Sequence, residues 1–162
     1  MERFKSLSKD AVDVTEGRIL EKWKSEDILN KCIENRENDP YFVFYDGPAT
    51  ANGHPGLHHM VAKFLKDTIC KYKTMQGYKV LRKVGWDTHG LPVELQVEKE
   101  LGFSGKKDIE KYGLENFTKK CLARVDHFSK TITEQSKRLG QWMDWDNSYY
   151  TNTAELCKSY RA

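Results

Sequence analysis

The segment from Tyr41 to Val84 constrains the fold more than any other part of the chain. It holds a short apolar run (YFVFYD), a glycine-rich loop, an amphipathic stretch and a second β-branched run (YKVLRKV). A short run that is apolar on both faces is typical of a buried parallel strand, whereas the stretch between the two runs has helical spacing. The order predicts a parallel βαβ unit whose first strand is central in a sheet covered on both faces.

The predicted helix of this unit is amphipathic, and Gly77 marks its end, where glycine is favoured. Its lysines and Asp67 lie largely outside the apolar face. An apolar stripe of this kind is typical of a helix that packs on a core. The predicted stripe comprises Met60, Val61, Phe64, Leu65, Ile69 and Tyr72.

Helical patterns flank the βαβ unit on both sides. Two short helices broken near Ser25 precede it, and residues 92–142 are largely helical with a break around YGLENF. An aromatic group follows, which we interpret as a packing cluster rather than a binding platform. It comprises Trp142, Trp145, Tyr149 and Tyr150.

Composition narrows the protein class. With 162 residues, 38% of them hydrophobic, the chain can bury a core as one domain or as part of a larger one. The net charge of +3 is too small to indicate nucleic-acid binding, and the four cysteines lack the paired spacing of a zinc site or disulfide framework. No apolar run approaches the length that spans a bilayer, so we expect a cytoplasmic protein without membrane contact.

The loop Asp46–Met60, DGPATANGHPGLHHM, permits several interpretations. A metal site could use His54, His58 and His59, although the Pro-Gly pair after His54 disfavours a helix there and no further ligand is evident. Nucleophilic catalysis could use only Thr50, which has no recognisable partner. The histidines could also be plain surface residues of a turn.

A phosphate-binding turn is the remaining interpretation of the loop. Glycine-rich backbone between a strand and a helix N-terminus offers N–H groups and a positive dipole end to an anion. Gly47, Gly53 and Gly56 permit close approach and unusual φ angles. Parallel strands end on the same side, so Asp87 and His89 of GWDTHG should face the same space, where a carboxylate could hold an ammonium.

Two long segments resemble one protein family. YDGPATANGHPGLHHMVAKFLKD and GYKVLRKVGWDTHGLPVELQVEKELG are similar to the start of the catalytic domain of class I aminoacyl-tRNA synthetases, above all the isoleucyl branch. The resemblance implies an α/β fold, namely the first half of a Rossmann-like nucleotide-binding domain with flanking helices. It also implies a helical extension at 1–39, the catalytic part at 40–151 and a divergent tail at 152–162.

The resemblance further implies an activity. Members of this branch activate isoleucine with ATP, accompanied by Mg²⁺, to an aminoacyl-adenylate and transfer it to tRNA(Ile). No protein-bound metal is expected in this segment. The editing domain, the second half of the nucleotide fold, the second signature loop and the anticodon-binding domain would follow residue 162, so we expect these residues alone to be weakly active or inactive.

Site residues carry over by position. The family's His-x-Gly-His signature aligns with GLHH, so Gly56 stands at the first histidine, His58 at the glycine and His59 at the last histidine. The resemblance assigns ATP binding to these three residues and Asn52, with His58 and His59 as the catalytic pair. It assigns the isoleucine site to four residues, Gly47, Pro48, Asp87 and His89.

Two alternatives remain open. The chain could be a truncated, non-catalytic remnant that binds nucleotide or a partner. It could also be another nucleotidyltransferase of the same fold, although the GWDTHGLPVE segment would then lack an explanation.

Overall fold

A computed structural model describes residues 9–153 and forms a parallel sheet with helices around it. In chain order the elements are α1 (Val12–Ser25), α2 (Ile28–Glu34), β1 (Tyr41–Tyr45), β2 (Ala49–Thr50), α3 (Leu57–Met75), β3 (Lys79–Asp87), α4 (Leu91–Leu101), α5 (Lys106–Tyr112), α6 (Leu114–Arg138) and β4 (Asp144–Tyr150). The predicted tail at 152–162 lies almost wholly outside the described residues.

Strand β3 is the centre of the sheet, because it pairs in parallel with each of the other strands. β1 runs beside Lys79–Lys83, and β2 pairs with Trp86 and Asp87 at the end of β3. The predicted α/β class and the parallel βαβ unit are confirmed. β3 is longer than predicted, since it extends past Val84 to Asp87.

The prediction that β1 is a central strand covered on both faces is wrong for the described chain. Within residues 9–153, β1 pairs with β3 alone. Phe42 and Phe44 point to the covered side, whereas Tyr41, Val43 and Tyr45 are more than half exposed. Both faces of β1 therefore carry aromatic or β-branched side chains, but only one of the two faces is covered in the described chain.

The hydrophobic core lies on the covered side of the sheet, under α4 and α6. It joins Val84 and Trp86 of β3 to the inner faces of these helices, where apolar side chains are removed from water. Its buried members are Ala51, Val84, Trp86, Val93, Val125, Ile132 and Met143. Trp145 and Tyr150 of β4 pack against it, which agrees with the predicted packing role of the aromatic group, although β4 itself was not predicted as a strand.

Helix α3 has the opposite orientation to the one predicted from its amphipathic pattern. The buried residues of α3 are Lys63, Asp67, Cys70 and Thr74. Most of its large apolar side chains are more than half exposed, whereas Met60 is intermediate. The exposed ones are Leu57, Val61, Phe64, Leu65, Ile69, Tyr72 and Met75. We call this set the outer face of α3. Periodicity identified the two faces correctly but not which of them meets the sheet.

Buried ion pairs explain how α3 tolerates a polar inner face. Asp67 contacts the buried Arg82 guanidinium of β3 at 3.7 Å, pairs with Lys71 at 2.5 Å and accepts a hydrogen bond from Trp142 N at 2.9 Å. Arg82 also donates to Thr74 Oγ1 at 2.8 Å. Burial lowers the pKa of Arg82, and the remaining hydrogen bonds compensate part of that desolvation.

The helical segments follow the predicted breaks. α1 and α2 separate after Ser25, and α5 and α6 separate at Gly113, whose φ of 93° favours glycine. Gly77, with φ of 91°, follows the end of α3 as predicted. The N-terminal helices attach through Trp23, which makes an edge-to-face contact with Trp142 at 5.0 Å between ring centroids.

Candidate functional site

The candidate site lies where β2 and β3 end and the loop to α3 begins. Thr50 and Asp87 are register partners in the β2–β3 ladder, and Ala51 N donates to Asp87 O at 3.4 Å. Because both strands run in the same direction, their carboxyl ends meet at one edge. The predicted meeting of the GWDTHG segment with the glycine-rich loop is confirmed at the backbone level.

Two side chains hold the Asp87 carboxylate. Thr50 Oγ1 donates to Oδ2 at 3.0 Å, and His89 Nδ1 lies 3.2 Å from Oδ1. Since the carboxylate only accepts, this contact assigns the proton to His89 Nδ1. The Asp87 side chain is 31% exposed, so it can still reach a ligand. Thr50 thus has a partner that the sequence did not reveal.

Thr151 extends this network from the end of β4. Its hydroxyl lies 3.2 Å from His89 Nδ1 and 3.0 Å from Thr88 Oγ1, and it accepts a hydrogen bond from Thr88 N at 3.1 Å. No pattern in the sequence signals this role, because Thr151 is separated by more than 60 positions from the residues it contacts. The contact ties the loop after β3 to the end of β4.

His59 lies in the first turn of α3 with a defined tautomer. Gly56 N donates to His59 Nδ1 at 3.0 Å, so the proton of a neutral His59 ring is on Nε2. The His59 ring is exposed, and the N-terminus of a 19-residue helix concentrates unpaired N–H groups and positive dipole around it. The helix start therefore presents hydrogen-bond donors that suit an anion.

Gly56 and His58 are linked sterically. A Cβ added at Gly56 would lie 2.9 Å from His58 Cε1, so the imidazole of His58 occupies the space that a side chain at position 56 would need. The backbone of Gly56 is extended, with φ −79° and ψ 170°, which any residue can adopt. The His58 and His59 rings are 3.9 Å apart between centroids.

The loop does not use the unusual φ angles that its glycines permit. None of Gly47, Gly53 and Gly56 has a positive φ. At Gly47 and Gly53 an added Cβ would meet no atom within 4 Å, so the backbone there is open rather than strained. Gly47 and Gly53 therefore leave open space around the loop, whereas His58 fills the space at Gly56.

Asn52 is fixed by contacts that the sequence did not predict. Its side-chain Nδ2 donates to Pro92 O at 3.2 Å, and its backbone carbonyl accepts from Arg124 Nε at 2.9 Å and Nη2 at 2.6 Å. Arg124 also pairs with Glu100 and lies 4.7 Å above the Phe128 ring. Arg124 is thus a clamp between α6 and the loop, and an arginine in a helix carries no sequence signal of such a role.

The start of the loop is held by a buried carboxylate. Asp46, which is 4% exposed, pairs with Lys66 of α3 at 2.6 Å, and its carbonyl accepts a hydrogen bond from Tyr149. Burial lowers the pKa of the neighbouring Lys63, while the negative charge of Asp46 opposes that shift. Gly47 and Pro48, which follow directly, are exposed.

The metal interpretation of the loop receives no support from the side-chain positions. His54 packs edge-to-face on Phe128 at 5.3 Å, and His59 uses Nδ1 on the backbone of Gly56. Within residues 9–153, no group of three or more His, Cys, Asp or Glu side chains is arranged to hold a metal ion. No helix in that same range is long and apolar enough to cross a membrane.

Comparison with known proteins matches nearly the whole chain. The family model for tRNA synthetases class I (I, L, M and V) matches residues 18–162. The isoleucine–tRNA ligase of Clostridium novyi (strain NT) is 51% identical over 136 residues, which are 84% of this chain and 13% of that protein. The isoleucine–tRNA ligase 2 of Bacillus thuringiensis subsp. konkukian (strain 97-27) is 53% identical with the same coverage.

A solved structure shows the same fold. The LeuRS of Agrobacterium radiobacter K84, crystallised in a ternary complex with tRNA and LeuAMS, aligns with a TM-score of 0.61 and 19% identity. The alignment covers 90% of this chain and 17% of the other. The chain therefore spans about an eighth of the length of the curated relatives it matches.

Proposed function

The chain belongs to the class I tRNA synthetases of the I, L, M and V group, and from that premise we propose that it contributes the amino-acid and ATP sites of an isoleucine–tRNA ligase. The reaction is activation of isoleucine by ATP to an aminoacyl-adenylate, followed by transfer to tRNA(Ile) in the cytoplasm. The relatives' names support isoleucine as the substrate.

The single observation that carries the proposal is the Asp87 carboxylate, held by Thr50 at the sheet edge from which the loop leads to the N-terminus of α3. In this proposal the Asp87 carboxylate binds the substrate ammonium. Hydrogen bonds between opposite charges are stronger than neutral ones, so this contact holds the amino acid firmly in a partly buried site. Gly47 and Pro48 line the amino-acid pocket, and His89 closes it beside Asp87.

The nucleotide occupies the start of α3. His59 donates from Nε2 to a phosphate oxygen, which the hydrogen bond at its Nδ1 supports. Gly56 leaves room for the ring of His58, and that ring stands in for the side chain at the first position of the signature. Asn52 lies on the nucleotide side, where Pro92 O holds its Nδ2 and Arg124 holds its backbone carbonyl.

Activation requires an oxygen of the isoleucine carboxylate to attack the α-phosphorus of ATP as pyrophosphate leaves. The chain's residues orient the reactants and stabilise the growing phosphate charge without forming a covalent bond. Magnesium enters as part of the MgATP substrate, bound through phosphate oxygens as is usual for this ion. The described residues that face the site suit magnesium bound through the ATP phosphates, because they offer hydrogen-bond donors to an anion rather than a cage of carboxylates.

We retain the division into a helical extension at 1–39, the catalytic part at 40–151 and a tail at 152–162. We also propose that residues 1–162 alone turn over slowly, because the exposed face of β1 and the outer face of α3 are the surfaces that a larger catalytic domain would cover. Such a domain would supply the remaining substrate contacts.

Isoleucine-dependent exchange of pyrophosphate into ATP tests the proposal. The protein as its gene encodes it should exchange with isoleucine and far less with other amino acids, whereas residues 1–162 alone should be weak. Exchange absent from both proteins, together with ATP binding, would favour the non-catalytic remnant. ATP turnover that ignores isoleucine would favour another nucleotidyltransferase.

A further inference from the structure

Thr50, which holds the Asp87 carboxylate, is itself placed to influence the candidate site. Thr50 and Asp87 are paired residues of neighbouring parallel strands, so the backbone ladder fixes their separation. The hydroxyl of Thr50 donates to Asp87 Oδ2 at 3.0 Å. A threonine side chain is stiff at χ1 because its β-carbon is branched, so little entropy is lost in presenting the hydroxyl.

The two oxygens of Asp87 are each partly used. Thr50 occupies one acceptor direction on Oδ2, and His89 Nδ1 occupies one on Oδ1. An ionised carboxylate has about four acceptor directions, so one on each oxygen remains for a ligand. The two donors therefore fix the plane of the carboxylate while leaving it able to bind a cationic group.

We propose that Thr50 is a positioning residue for amino-acid binding, whose hydroxyl orients the Asp87 carboxylate toward the substrate ammonium. This inference rests on the proposed function and assigns Thr50 a role in amino-acid affinity without contact to the nucleotide. Removing the hydroxyl leaves the carboxylate charged but held by His89 alone, so it weakens substrate binding more than it slows the chemical step.

Four variants of the protein as its gene encodes it test this role in the exchange assay. Thr50→Val removes the hydroxyl at constant shape, and Thr50→Ser restores it. Thr131→Val is the matched control, since its hydroxyl donates only within α6, to His127 O at 3.0 Å. Asp87→Asn reports independently whether the carboxylate binds the amino acid.

We expect Thr50→Val to raise KM for isoleucine about tenfold, because it removes one hydrogen bond to a charged group. KM for ATP should stay nearly unchanged. Thr50→Ser should recover most of the affinity, and Thr131→Val should match the wild type. Suppose that Asp87→Asn binds isoleucine poorly. The positioning role of Thr50 is then overturned if Thr50→Val has a normal KM for isoleucine, or if its KM for ATP rises by the same factor. A functional Asp87→Asn enzyme, or a wild type without exchange, overturns the proposed function and this inference with it.

Discussion

At the scale of residues, the pair formed by Gly56 and His58 explains how two positions of the loop depend on each other. His58 lies over the α-carbon of Gly56, so a methyl group there would push the imidazole aside rather than disturb the backbone. The two positions should therefore behave as a unit, and their substitutions should not be additive.

A double-mutant cycle at these positions tests the steric link. We expect Gly56→Ala to weaken ATP binding several-fold in the wild type because it displaces His58, and to have little effect in the His58→Gly background. ATP titration of the four proteins measures the coupling. Equal effects of Gly56→Ala in both backgrounds would contradict the link, and unchanged ATP affinity and activation rate in His58→Gly alone would make His58 a spectator.

Arg124 is the second residue whose role depends on geometry alone. Arg124→Met removes both hydrogen bonds to the Asn52 carbonyl while keeping a similar apolar stem. We expect the free energy of unfolding to fall by about 1–3 kcal/mol, the usual cost of leaving a partly buried acceptor unpaired.

Arg138→Met is the control for Arg124→Met, because Arg138 pairs with Glu16 at an exposed site. An exposed pair contributes about 0–1 kcal/mol, so this variant should denature close to the wild type. Equal destabilisation by the two variants in thermal or urea denaturation would show that Arg124 is not a clamp.

At the scale of elements, α3 shows that a helical pattern does not say which face is buried. Its polar residues meet Arg82 and Asp46 beneath it, and its apolar residues remain outside. The buried Asp67 of α3 is tolerated because it has two partners of opposite sign, Lys71 on the same helix and Arg82 on β3. The pattern alone contains no information about them.

The orientation of α3 predicts that substitutions on its apolar face will hardly change the free energy of unfolding of residues 1–162. Phe64→Ser should change the free energy of unfolding by no more than about 0.5 kcal/mol, because Phe64 is 64% exposed. Ile132→Ala should cost about 2–4 kcal/mol, because Ile132 is buried in the core. Chemical denaturation measures both. A larger loss for Phe64→Ser than for Ile132→Ala would mean that α3 packs by its apolar face.

Lys63 on the inner face of α3 predicts a pH dependence. Burial lowers its pKa in the folded protein, so between that value and the ordinary value of about 10.4 the unfolded chain binds more protons. The contribution of Lys63 to the free energy of unfolding therefore rises with pH between these two pKa values. Lys63→Met should stabilise the protein at neutral pH, and the gain should shrink as the pH approaches 10.

Urea denaturation of the wild type and Lys63→Met over the alkaline range measures this difference. Subtracting the two curves removes the other groups that titrate there, including Cys70, whose pKa burial raises. A difference independent of pH would show that Lys63 has the same proton affinity in both states.

At the scale of the whole molecule, the sequence was sufficient for the βαβ unit, the flanking helices and the edge where the site forms. Short apolar runs, glycine punctuation and helical spacing are local signals, and they predicted the βαβ unit and the breaks near Ser25 and around YGLENF. The meeting of the loop with Asp87 followed from the general rule for parallel strands.

The remaining features depend on contacts between distant parts of the chain. β4 was missed because DWDNSYY carries polar residues and gains its strand conformation from pairing with β3. The clamp by Arg124 and the support of Asp87 by Thr50 join residues 72 and 37 positions apart. No local pattern encodes such pairs, so they could only be found in the folded structure.

The KM for isoleucine in pyrophosphate exchange, compared between wild type and Asp87→Asn, decides whether Asp87 binds the substrate ammonium. If Asp87 binds the substrate ammonium, removing its charge at constant shape should raise KM for isoleucine about a hundredfold, with KM for ATP changed little. Unchanged KM for isoleucine in an active Asp87→Asn enzyme would show that Asp87 does not bind the ammonium.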